Sequence, residues 1–177
     1  MFRALARAVR TLTLACGLVG SAAVMSNPAA ALSYEEWLMA FVRFVEWPMP
    51  IADNTLVICH APDTPLLELE GKQVRGLTLQ VTRVTRPRDL ERCHVFAALA
   101  KREQDWTPWL NALKMRPILA VGLGSRFCEI GGTICLIKDE ATGVEKYQLN
   151  LDSLARSGFK VSSQMLRAQP QRTAKGE

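Results

Sequence analysis

The chain has 177 residues, 49% of them hydrophobic and 22% charged, with a formal net charge of +5. Three of the 22 basic residues, Arg3, Arg7 and Arg10, crowd the first ten positions. Without the first 31 residues, 19 basic side chains face 17 acidic ones, and a balance of +2 gives a nucleic-acid role no support.

The opening "MFRALARAVR TLTLACGLVG SAAVMSNPAAALS" orders its residues as a secretory signal does. The three arginines form a positive n-region, residues 11–25 are small and apolar, and Ala29 and Ala31 occupy the small-residue slots before a cut. A membrane anchor is the alternative, but this mildly apolar run is short of the roughly 20 residues that span a bilayer. Lipidation at Cys16 is disfavoured, since too few apolar residues precede it. We expect residues 1–31 to be a signal peptide, 32–168 one α/β domain and 169–177 a flexible polar tail. The 146 residues that remain make one ordinary domain with a sizeable core. The signal predicts export, and since no later apolar run reaches spanning length, the mature chain is expected to be soluble.

In chain order, "SYEEWLMAFVRFVE" predicts a helix over 33–46, with Ser33 and Glu36 as a capping box and an aromatic stripe packed inward. Trp47-Pro48 stops it. "TLVICHA" (55–61) reads as a buried strand and "PLLELEG" (65–71) as a short helix. "LTLQVTRV" (77–84) alternates as a strand with one wet face, and "CHVFAAL" (93–99) is a further strand. "DWTPWLNALKM" (105–115) predicts a helix with Pro108 in its first turn, and "PILAVGL" a buried strand. "TICLIKDE" and "EKYQLNL" flank Ala141-Thr142-Gly143 as a hairpin. "DSLARSG" and "VSSQMLRAQ" are helical, split by Gly158. Apolar strands separated by helices predict a mostly parallel sheet with helices on both faces and an antiparallel edge hairpin.

Four cysteines follow the signal: Cys59, Cys93, Cys128 and Cys135. An even number in an exported chain predicts disulfides. In "FCEIGGTIC", Gly131-Gly132 permits a sharp turn that brings Cys128 and Cys135 together, and the spacing suits neither a redox pair nor a zinc knuckle. Cys59 and Cys93 each precede a histidine, His60 and His94, which raises a zinc site or a Cys93–His94 dyad. Neighbouring strand residues point to opposite faces, so four such ligands do not converge easily. Three pairings are open in principle, and locality favours 59–93 with 128–135.

No catalytic constellation emerges. Ser162-Ser163 lacks a nucleophile elbow, and "GLGS" (122–125) lacks the lysine and spacing of a phosphate loop. Arg83, Arg86, Arg88 and Arg92 fall within "TRVTRPRDLER", diluted by Asp89 and Glu91, and read as a solvated loop or as a docking patch. Trp106 and Trp109 are interface anchor candidates, with at least one of them expected in the core.

The landmarks "FVRFVEWP", "LVICHAP", "GLTLQVTRV", "CHVF", "ILAVGLGSRFCEIGGTICLI" and "YQLNLDSLARSGFKVSSQMLRAQ", in this order, resemble the YfiR family of periplasmic regulatory proteins over residues 34–169. The resemblance implies a compact α/β sandwich, disulfides joining Cys59 with Cys93 and Cys128 with Cys135, and no enzymatic activity or cofactor. It implies a repressor that binds the periplasmic sensory domain of an inner-membrane diguanylate cyclase, lowering cyclic-di-GMP and biofilm formation. An outer-membrane lipoprotein antagonist and a homodimer are further partners on this reading. The alternative from another class is a small-ligand sensor with a pocket at the carboxyl ends of the strands near residues 122–126.

Overall fold

The computed structural model describes residues 32–65, 67–100, 104–138 and 145–167. Helix α1 (Tyr34–Phe44) starts where the capping box places it. Ser33 accepts from the Glu36 amide at 3.2 Å, and the Glu36 carboxylate accepts from the Ser33 amide at 2.7 Å. It ends two residues earlier than the sequence predicts, because Val45–Glu46 forms strand β1 and pairs antiparallel with the late strand β9 (Lys160–Val161).

The main sheet has seven strands among the described residues: β2 (Thr55–His60), β3 (Gln73–Val74), β4 (Leu77–Arg83), β5 (Val95–Ala98), β6 (Leu119–Leu123), β7 (Ile134–Lys138) and β8 (Glu145–Leu149). Their spatial order is β3-β4-β2-β5-β6-β7-β8. The five inner strands run parallel, while β3 and β8 are antiparallel edges. The predicted mostly parallel sheet with an antiparallel hairpin is therefore present, and the hairpin tip Ala141-Thr142-Gly143 lies outside the described residues. The inner order is that of a doubly wound sheet whose switch point falls between β2 and β5.

Strand alternation sorts the core into two layers. Leu56, Ile58, Val95, Val121 and Ile134 join α1, helix α4 (Leu151–Arg156) and helix α5 (Ser163–Arg167) on one face. Cys59, Phe96, Ala120 and Cys135 pack on the other against helix α2 (Thr107–Leu113), helix α3 (Ser125–Glu129) and the 3-10 segment Pro87–Arg92. Helices thus cover both faces, as expected.

Two segments differ from the sequence reading. In "PLLELEG", residues 68–71 form turns instead of a helix, and Leu67 and Leu69 are buried. The exposed edge of β4 needs partners, and this segment supplies them: the Gly71 amide donates to Leu79 O, and the Glu70 carboxylate accepts from the Val81 amide at 2.6 Å. In the second segment, the stretch before the double glycine is α3, a helix too short to show periodicity. The double glycine still has the predicted turn role. Gly131 takes φ +117°, which side chains resist, and a Cβ on Gly132 would sit 2.8 Å from Phe127 O and closer still to its ring.

At the switch point a side chain bridges the two strands' ends. The buried Thr64 hydroxyl, on the loop after β2, donates to Ala97 O at 3.1 Å and accepts from the Leu99 amide at 3.2 Å.

Candidate functional site

Both disulfides lie on the α2/α3 face of the sheet. Cys59 leaves β2 toward that face and meets Cys93, which precedes β5, with 5.7 Å between Cα atoms. Cys128, in α3, meets Cys135, in β7, at 5.9 Å. All four sulfurs are therefore bonded, which leaves no thiolate for a zinc site or for a Cys93–His94 dyad. Among the described residues no group of three or more His, Cys, Asp or Glu side chains is placed to hold a metal ion.

The histidines serve the sheet. The His94 Nδ1 accepts the Val57 amide at 2.9 Å, and the same two residues share a backbone bond from the His94 amide to Val57 O. Accepting at Nδ1 requires the neutral imidazole with its proton on Nε2. Burial also pushes the His94 pKa below its ordinary 6.5, in the same direction. His60 is buried, its Nδ1 lying 3.2 Å from Ala61 O. The sequence carries no periodic signal for the His94 role, because its partner is 37 residues away.

The arginine run sits at the end of β4 and along the 3-10 segment. Arg83 donates to Pro62 O at 3.4 Å, Arg86 makes two bonds to the Asp89 carboxylate at 3.1 and 3.2 Å, and Arg88 is exposed. The Arg86 bonds hold the Asp89 carboxyl below its usual range. Trp106 is 7% exposed and packs edge-on against Phe96 and Phe127, whereas the part-buried Trp109 stacks on Phe96 with ring centroids 5.2 Å apart. One tryptophan of the pair faces the core, as the sequence suggests. Trp109 and the arginines are the members of the candidate set that reach the surface.

Two clefts open at opposite ends of the parallel strands. One, of about 550 Å³, lies at the carboxyl ends and includes Gly124 and Arg126 from the segment singled out in the sequence, with Asp105 opposite. Asp105 accepts the Thr107 amide at 2.9 Å, and this contact with Thr107 lowers its pKa. The other, of about 420 Å³, lies at the amino ends, where the loop 47–51 approaches Arg92, His94 and Arg116. The sequence reading missed this second cleft, since its walls come from three distant segments.

A model of the YfiR/HmsC-like family matches residues 34–168. The chain belongs to the YfiR/HmsC-like family. The match covers both disulfides, the arginine run and the two clefts. A search of the curated proteins returns no match. YfiR/HmsC-like proteins are periplasmic regulators in cyclic-di-GMP signalling, a non-catalytic family, and two disulfides fit the oxidising compartment in which they work. Among the described residues no helix is long and apolar enough to cross a membrane.

Proposed function

We propose that the protein is a periplasmic repressor that grips the periplasmic sensory domain of an inner-membrane diguanylate cyclase and holds it inactive. The family membership carries this reading. The exposed α2 side of the disulfide-braced face is the proposed docking surface, with Arg86, Arg88 and Trp109 in contact with the partner, Arg83 at its rim where β4 ends, and Trp106 supporting Trp109 from below. Repression follows by differential affinity: binding the inactive sensor conformation more tightly shifts its population. The braces reduce the freedom lost on binding by keeping this face rigid. Residues 1–31 act as the cleaved leader that delivers the chain to the periplasm, and 169–177 as a polar tail.

Deletion of the gene is expected to raise cyclic-di-GMP, and a pull-down from native membranes to recover a diguanylate cyclase with a periplasmic domain. The Arg83→Ala/Arg86→Ala/Arg88→Ala variant is expected to fold normally and to lose both effects. Unchanged cyclic-di-GMP on deletion, with no inner-membrane protein recovered, removes the reading.

A further inference from the structure

We propose that the amino-end cleft is a binding site for a small monocarboxylate with an apolar body. The inference rests on an imbalance of donors and acceptors around a cavity of ligand size. Pockets of about 300–1,000 Å³ hold small molecules, and this one measures about 420 Å³.

The donors have few acceptors. With Nδ1 committed to the Val57 amide, His94 must carry its proton on Nε2, and this N–H has no protein acceptor among the described residues. Arg92 is exposed and makes no ion pair among them. Arg116 reaches Glu91 only at 3.5 Å, in a pair whose side chains are 43% and 69% exposed. Trp47, another wall of the cleft, buries an indole N–H with no partner among the described residues. Glu91 is the single carboxylate in the lining. Two guanidinium groups against one carboxylate leave one positive charge, which suits a monoanion better than a phosphate dianion. A planar carboxylate also takes paired N–H donors from a guanidinium.

The rest of the lining is apolar. Met49, Ile51 and Ile118 face the cavity, with Pro50 and Pro117 stiffening two of its edges. The floor is held in place by Cys93, tied to Cys59 beneath it, and by the two His94–Val57 bonds. The His94 donor is thus set in place before a ligand arrives, which lowers the ordering cost at that contact. This site goes beyond the repressor reading and is independent of it, since that reading is decided by cyclic-di-GMP levels and membrane pull-down.

The test is a titration of the oxidised protein followed by ¹H–¹⁵N correlation spectra, with 3-phenylpropanoate, octanoate and the neutral analogue 3-phenylpropanamide as probes. Saturable shifts are expected for the Trp47 indole N–H and the amides of Arg92, His94 and Ile118 with both carboxylates. The amide probe should bind at least tenfold more weakly. Arg92→Gln/Arg116→Gln, both at exposed side chains, should weaken the carboxylates at least tenfold with an unchanged melting temperature. No saturable shift at these positions, an equal response to the amide, or unaltered carboxylate affinity in the double variant would overturn the proposal.

Discussion

Removing the disulfides one at a time separates loop entropy from local packing. Cys59–Cys93 closes a separation of 34 residues and Cys128–Cys135 one of 7. On the loop-entropy relation the longer closure contributes about 4 kcal/mol and the shorter about 2.5 kcal/mol, acting mainly by restricting the unfolded chain. Alanine is the replacement of choice: all four cysteines are at most 5% exposed, and serine would bury hydroxyls instead. The loss of sulfur packing is similar for the two pairs, so it largely cancels in the comparison. Cys59→Ala/Cys93→Ala should therefore be the less stable double variant, by about 1.5 kcal/mol. Urea unfolding followed by tryptophan fluorescence reads this as a lower midpoint, with a larger slope in each variant because its unfolded state expands. At this size the longer bridge is worth about 8–16 °C in melting temperature. If losing the Cys128–Cys135 bridge costs as much or more, native-state packing around α3 dominates, and the entropic argument is refuted.

Other consequences are open to direct measurement. Gly132→Ala drives a Cβ into Phe127 and should cost about 1–3 kcal/mol; shrinking the ring with Phe127→Leu should make the double variant less damaged than the sum, in a double-mutant cycle. Stability should fall as the pH is lowered through the His94 titration. Its folded pKa lies below 6.5, so the unfolded chain binds more protons below that value; the contribution is complete above pH 6.5 and is lost on acidification until the folded pKa is passed. Unfolding midpoints at pH 7.5 and 5.5 check this, and His94→Ala should flatten the difference. Tyr147→Phe removes a buried 2.6 Å bond to Met165 O and should cost about 1 kcal/mol in urea unfolding.

What the sequence disclosed depended on how local the cause was. The start of α1 is written in two residues three apart, Ser33 and Glu36, and the inner strands in unbroken apolar runs such as "LAVGL". Pairings between distant segments left no such mark. Strand β1 exists because Val45 meets Val161, and residues 68–71 stay non-helical because β4 claims the backbone at Gly71. The same division holds at the candidate sites. The cysteine pairs and the arginine run could be read from spacing, but the seating of Trp106 against Phe96 and Phe127 follows from tertiary packing. His94 escaped notice as a hydrogen-bond acceptor because nothing near it in the chain announces Val57.

Thr64 has a bearing on how this architecture can evolve new recognition. Doubly wound sheets commonly receive small molecules in the gap where strand order reverses. Here one hydroxyl stitches that gap shut from inside, bridging Ala97 and Leu99. A ligand entering at this mouth would first have to displace Thr64 from both bonds, so recognition is easier to build at the rims and flanks of the sheet. Changes of specificity in such a scaffold are therefore free to accumulate at its periphery without disturbing the central seam.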